Sequence, residues 1–319
     1  MSELREALDE YLAIRRALGF KLVEPGRLLY KFVFFAEQKG ASFITTDLAV
    51  EWATQPIGVQ PVQWAHRFRM VRLFAQYRSG ADPRTEIPPL GLLPRSYHRK
   101  PPRLFSEEEI TRLLDAAQRL PSPSGLQAAT YSTLFGLLAV SGMRVCESIT
   151  LDREHVDLTR GVLLVRNSKF GKSRLVPIHP TTQDALHQYA CLRDQIYPKP
   201  KTPAFFMSER GVRLDYSRVY WVFLTLSRQI GLRGPRGTPS PRGHSPRLHD
   251  FRHKFAIETL LEWYRSGVDV QRHIPELAAY LGHRHVTDTY WYLSATPELL
   301  RLAMLRVDEM EDSHYEDLR

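Results

Sequence analysis

Residues 281–293 read LGHRHVTDTYWYL. A Gly-His pair, Gly282–His283, opens the stretch, and three consecutive aromatics, Tyr290, Trp291 and Tyr292, close it. By itself the aromatic run reads as a packed cluster that closes a helical core. Gly282 reads as the stop of a short helix over 275–280. A tyrosine has an unperturbed pKa of about 10, so it attacks phosphate near neutral pH only beside cations or a base. What lies upstream therefore decides how these residues are read.

Working backwards, His249-Asp250-Phe251-Arg252 places His249 and Arg252 at i and i+3, on one face near a helix N-terminus. Free N–H groups and the helix dipole favour a phosphate there. His249 and His253 also have metal-ligand spacing. No Glu follows His249, however, and Arg252 would sit beside the ion, so no metal is expected. Further upstream, residues 126–140 form a helix apolar nearly all round, which implies burial. It breaks at Ser141-Gly142 and presents Arg144, with Glu147 three residues on. Taken alone, that pair reads as a structural ion pair.

Together these pieces resemble the tyrosine recombinases, the phage integrase family. The resemblance is carried by Arg144 in SGMRVCE, Lys169 in the loop NSKFGKS, His249-x-x-Arg252, Leu281-Gly282-His283 and a tyrosine nine residues after that histidine. Their order and spacing from Arg144 to Tyr292 are specific, although each piece alone is weak. The resemblance implies that Arg144 and Arg252 hold the non-bridging oxygens of a scissile phosphate. His249 and His283 would supply hydrogen bonds and proton transfer, Lys169 would protonate the leaving 5′ oxygen, Tyr292 would be the nucleophile, and Glu147 would buttress Arg144. The spacing selects Tyr292 over Tyr290, which with Trp291 is read as packing. Where many relatives have Gly-Lys-Gly this loop has Ser168-Lys169-Phe170-Gly171-Lys172, so Lys172 stays open as a rival for the lysine role.

The chemistry is consistent with those residue types. Phosphodiester transfer builds negative charge on equatorial oxygens, which fixed cations stabilise. The planar fork of arginine matches phosphate geometry. No carboxylate cluster suited to Mg²⁺ is evident, and neither cofactor nor metal is expected.

The 319 residues have room for two domains. Helical 3,4 rhythms over 3–18 and 26–38, a helix capped at 45–47, and another over 60–77 with Trp64, Phe68, Val71, Leu73, Phe74 and Tyr77 inward define a helical domain over 1–94. The resemblance makes it a core-binding (SAM-like) DNA-binding domain. Residues 95–104 read as a linker, and 105–319 as the catalytic domain, ending in a C-terminal helix over 297–306 and an acidic, mobile tail. Within it, Ser106 and Glu109 form a capping box. Strand-like runs over 149–158, 161–166 and 174–178 predict a small antiparallel sheet. The expected fold class is mainly α with that small sheet, in two domains forming a C-shaped clamp on duplex DNA.

A net charge of +9 and a pI near 9.6 fit a polyanionic partner. Candidate DNA contacts are Arg67, Arg69 and Arg72 on one helix, Arg99 and Lys100 in the linker, Lys172 and Arg174 on the hairpin, and Arg236, Arg242 and Arg247 in the Gly/Pro/Arg-rich stretch 231–247. The two cysteines, Cys146 and Cys191, are in no metal-type spacing. No apolar run approaches the roughly 18–20 residues of a bilayer span. The N-terminus MSELREALDEYL has no signal-peptide apolar region, so the cytoplasm is expected.

The resulting reading is a site-specific recombinase or integrase working through a covalent 3′-phosphotyrosine, serving integration or excision of a mobile element. The resemblance adds a homo-oligomer on DNA, two protomers per site and four in the synapse, joined through the C-terminal helix. The YWYLSATPELL end is similar to transposon-associated members that act with partner recombinases. The alternatives are a catalytically silent DNA-binding regulator with this fold and a type IB topoisomerase-like nicking-closing enzyme. The complete Arg, Lys, His, Arg, His, Tyr set argues against the regulator.

Overall fold

The computed structural model describes residues 2–94, 102–166, 173–235 and 245–316, with side chains through 306. The chain divides into two compact units, Met1–Lys100 and Pro101–Arg319.

In the first unit four helices follow the apolar rhythm: α1 (Glu3–Ala17), α2 (Val23–Gln38), α3 (Thr46–Thr54) and α4 (Pro61–Arg78). Ser2 and Thr45 cap α1 and α3, each accepting a backbone N–H through its hydroxyl. Leu4, Leu8, Leu12, Phe32, Trp52, Val71 and Phe74 form a core of their own. The inward reading of Leu73 does not hold. It is 38% exposed, because Val71, Phe74 and Ala75 fill the buried stripe of α4.

The second unit opens with α5 (Glu107–Gln118), whose capping box joins Ser106 and Glu109. Residues 102–104 belong to this unit more than to a linker: Arg103 is buried against Glu109 at 3.0 Å. Next comes α6 (Leu126–Ser141), then α7 (Val145–Ile149). A three-stranded antiparallel sheet follows in the order β1 (Val156–Asp157), β2 (Val162–Val165), β3 (Arg174–Pro177). Its register pairs Val165 with Arg174 and Leu163 with Val176. One face of the sheet, Leu163, Val165 and Val176, enters the core, whereas Leu175 on the other is exposed. The first strand is shorter than its apolar run suggests, since α7 takes Ile149 and a 3₁₀ turn takes Arg153–His155.

The unit continues with α8 (Pro180–Ile196), α9 (Tyr216–Gln229), α10 (Asp250–Arg265), α11 (Val270–Leu281) and α12 (Thr287–Tyr290). A 3₁₀ turn over Trp291–Ser294 then leads into α13 (Pro297–Glu316). The helix before Gly282 is longer than read. It begins at Val270, capped by Asp269, and carries Pro275 inside it. The last helix also runs on through the acidic stretch to Glu316. It lies along its own α10, with Leu299 fully buried. Arg306 donates to the carbonyls of Val268 and Tyr264, and Arg265 donates to Glu298 at 2.6 Å. No helix among the described residues is long and apolar enough to cross a membrane.

Candidate active site

The site is assembled where α6 ends. Gly142 caps that helix in the left-handed region, at φ +57°. A Cβ there would stand 2.5 Å from the ring of Phe255, so the turn requires glycine. Two residues on, Arg144 is the N-cap of α7. Its guanidinium donates to Glu147 at 2.7 Å and to the Gly282 carbonyl at 3.2 Å.

Glu147 is the hub of this corner. Besides the Arg144 side chain, its carboxylate accepts the Arg144 backbone N–H at 3.0 Å and both guanidinium nitrogens of Arg174, at 3.1 and 2.8 Å. Burial alone would raise its pKa, but the Arg174 fork, helped by Arg144, outweighs that and holds the carboxyl at about 2. Arg174 was read as a DNA contact. Its side chain is only 11% exposed, turned inward from β3, and its Nε donates to the Tyr280 carbonyl at 2.6 Å. It shares Glu147 with Arg144 and ties the sheet to the end of α11.

Arg252 is 1% exposed. Its two terminal nitrogens donate to the carbonyls of Gly142, at 2.9 Å, and Leu281, at 2.5 Å, which lie at the C-terminal ends of α6 and α11. Its Nε is buried and has no hydrogen-bond partner among the described residues. Burial, then the neighbouring charge of Arg144, pushes the guanidinium pKa down to about 10. The Leu281 carbonyl also lies 3.5 Å from Arg144, so both arginines meet at one helix end.

From there the chain turns at Gly282, φ +67°, into His283. His283 Nδ1 pairs with the Thr289 hydroxyl at 2.7 Å, and its ring stacks on Tyr292 at 6.2 Å between centroids. Burial, then Arg252 and Arg144, lowers its pKa to about 4, so it is neutral at pH 7. Tyr292 is 2% exposed on the 3₁₀ turn, with its Oη 3.2 Å from His253 Nδ1. Tyr290, read as packing, is instead 45% exposed, while Trp291 packs edge-on against His253. His249 stands at the start of α10 with its ring 4.6 Å from that of His253.

The structure thus brings Arg144, Glu147, Arg252, His283 and Tyr292 together, with His249 alongside. Spacing did not single out Arg174, Thr289 or His253 for this corner. His253 was visible only as half of a His-x-x-x-His pair. Lys169 and Lys172 lie outside the described residues, as do Arg99, Lys100, Arg236 and Arg242. Of the other basic candidates, Arg69 is exposed and Arg72 partly buried. Arg67 stacks on Trp52 at 3.7 Å and donates to the Trp52 carbonyl, so it is committed to the helical core. Arg247, half exposed, donates to the buried Asp250 at 3.1 Å.

Chemically, the corner suits an anion. Arg252 and His283 are both driven toward their neutral forms by burial and nearby positive charge, and a bound phosphate would reverse that. Among the described residues, Asp152, Glu154 and His155 are the group whose ligand atoms lie close enough for a cation. Arg213 already donates to Asp152, and Arg166 lies 3.5 Å from Glu154, so positive charge occupies the approach.

A model of the phage integrase family matches residues 103–298. The chain belongs to that family. It is 47% identical over 312 residues to a candidate integrase/recombinase of Sinorhizobium fredii, y4rB, covering 97% of this chain and 98% of that one. It is 30% identical over 220 residues to the tyrosine recombinase XerA of Thermococcus kodakarensis, covering 69% of this chain and 68% of that one. The fold of this family member is similar to that of the Tn1549 transposon integrase in complex with transposon right end DNA. The TM-score is 0.66 at 15% identity, over 97% of this chain and 100% of that one.

The buried Glu147 hub yields a prediction about pH. Replacing it by glutamine, E147Q, leaves Arg144 and Arg174 without their counter-charge and should cost about 3 kcal/mol at pH 7. A carboxyl held low stabilises the fold fully above its ordinary value and loses that contribution as pH falls through its folded one. The gap between wild type and variant should therefore be constant above about 4.5 and shrink as pH falls toward about 2. Denaturant unfolding of both proteins at pH 7 and at acid pH measures it. An unchanged gap would show that Glu147 does not act through its charge.

Proposed function

We propose that this integrase-family enzyme cuts and rejoins DNA at specific sites through a covalent 3′-phosphotyrosine at Tyr292. The observation that carries the assignment is the convergence of two arginines, tied to one helix end, with a neutral His283 stacked on a buried tyrosine. Arg144 and Arg252 would hold the non-bridging oxygens and neutralise the charge that builds as the phosphorus becomes five-coordinate. His283, neutral in the free protein, would donate a hydrogen bond to the phosphate, and His249 would assist from the start of α10. Lys169, or Lys172 from the same loop, would protonate the leaving 5′ oxygen. The phosphotyrosyl ester conserves the energy of the phosphodiester, so religation needs no ATP.

The helical first unit would serve as the core-binding domain on duplex DNA, with Arg69 and Arg72 as its basic contacts and residues 95–101 as the connection. The cytoplasm is the proposed compartment. The reaction would serve integration or excision of a mobile element, a reading that rests on the YWYLSATPELL end.

A substrate nicked close to the scissile bond lets the short 5′ fragment diffuse away and traps the covalent adduct. Wild type should give a DNA-linked band on a denaturing gel, Y292F none, and Y290F a normal one. An adduct from Y292F would show that the nucleophile is misassigned. No adduct from wild type on its cognate site would favour the silent regulator.

We further propose that protomers assemble on DNA through α13, two per site and four in the synapse. Removing residues 307–319 spares the contacts of Leu299 and Arg306 to the same chain. It should leave DNA binding intact but lower the number of protomers per DNA in size-exclusion chromatography with light scattering. Unchanged stoichiometry would contradict assembly through this helix.

A further inference from the structure

His253 is a buried imidazole to which the roles above give nothing to do. It follows Arg252 on α10, is 6% exposed, and has its Nδ1 3.2 Å from Tyr292 Oη. Its ring meets those of His249, at 4.6 Å, and Trp291, at 5.4 Å, edge-on. The imidazole is therefore packed among aromatic rings against the turn that carries the nucleophile. The phenol is a donor and a neutral imidazole has one accepting nitrogen. In the tautomer with the ring proton on Nε2, Nδ1 accepts the Tyr292 O–H, and it is this tautomer that the step below uses.

We propose that His253 is a further catalytic residue, the group that takes the Tyr292 proton through Nδ1 as the phenol oxygen attacks. The proposal rests on the recombinase reading. In that step the Oη–P bond forms and the bond from phosphorus to the 5′ oxygen breaks. The phenol proton passes to His253, and the 5′ oxygen takes a proton from a separate donor, the role given to the loop lysine.

Geometry favours His253 over His283 for this. The Nδ1 of His283 is engaged by Thr289, and its ring faces the flat side of the phenol and not the hydroxyl. Burial with Arg252 and Arg144 also makes it a poor base. His249 and Tyr292 are in contact with His253, and Arg252 precedes it. Elsewhere on α10, Asp250 is paired with Arg247, Lys254 with Glu107 and Glu258, and Arg265 with Glu298 of α13. Arg252, beside it in sequence, is the buried cation of this corner until a phosphodiester enters. An imidazolium at His253 is then compensated by the anion that Arg144 and Arg252 hold.

The test is single-turnover adduct formation on the nicked substrate by the full chain, across about pH 5 to 8, where an ordinary imidazole titrates. In H253N an amide oxygen can accept the phenol's hydrogen bond but cannot take its proton. Adduct formation should fall about 100-fold, the size expected for one general base, and lose the pH dependence of wild type in that range, with DNA affinity in a gel shift unchanged. H253A should be slow and partly rescued by added imidazole. Wild-type rate and pH profile in H253N would overturn the proposal, leaving His253 as a residue that only positions the phenol. Absence of any wild-type adduct would instead defeat the recombinase reading itself.

Discussion

A guanidinium almost sealed from water is tolerable in this fold because two helices end against it. The carbonyls of Gly142 and Leu281, at the C-terminal ends of α6 and α11, accept both terminal nitrogens of Arg252. Helix C-termini carry unsatisfied carbonyls and a partial negative charge, so each end meets a need of the other group. Much of the second unit can be read as what brings those two ends together. The apolar α6 fixes one end in the core, Gly142 makes the turn without colliding with Phe255, and α11 delivers the other. Arg144 reaches the same corner from the start of α7, and Glu147 with Arg174 locks it there. The two arginines are thus preorganised, and the position they hold does not have to be found when DNA arrives.

The same arrangement accounts for the state of Tyr292. The aromatic run that reads as a core cluster is indeed partly core. Tyr292 shares a cluster with Leu260, Leu277, Leu281 and Leu299. Its ring is packed as an apolar residue, while its hydroxyl meets His253. A tyrosine suits both demands, having an apolar body and a polar tip. The turn that carries it continues directly into α13, which lies along α10 of the same chain. Movement of α13 would therefore be felt at the nucleophile, which ties any exchange of this helix between protomers to the chemistry.

Most of the helices were legible in the sequence because their apolar stripes keep a 3.6-residue period, and the starts of α3 and α5 because Thr45 and Ser106 are good caps. The central site residues were legible for a different reason. Arg144, Glu147, His249, Arg252 and His283 each carry little alone, and only their order and spacing, through the resemblance to the integrase family, marked them as a site. Residues whose role is set by tertiary register were not legible. Arg174 looks like a solvent-facing cation beside a loop, and only its pairing with Val165 and the approach of α11 turn it inward. Arg67 sits among cations on a helix face, yet stacks on Trp52 from another helix. Tyr290 looked as buried as Tyr292 because sequence does not reveal which side of a 3₁₀ turn faces the core. Pro275 was read as a helix start, since proline favours the first turn, but α11 begins five residues earlier.

The most direct measurement is to digest the trapped protein–DNA adduct and map, by mass spectrometry, which residue carries the phosphodiester. The account predicts a single linkage on Tyr292, in the peptide that follows His283. A linkage on Tyr290, or on any serine, histidine or other tyrosine, would contradict it.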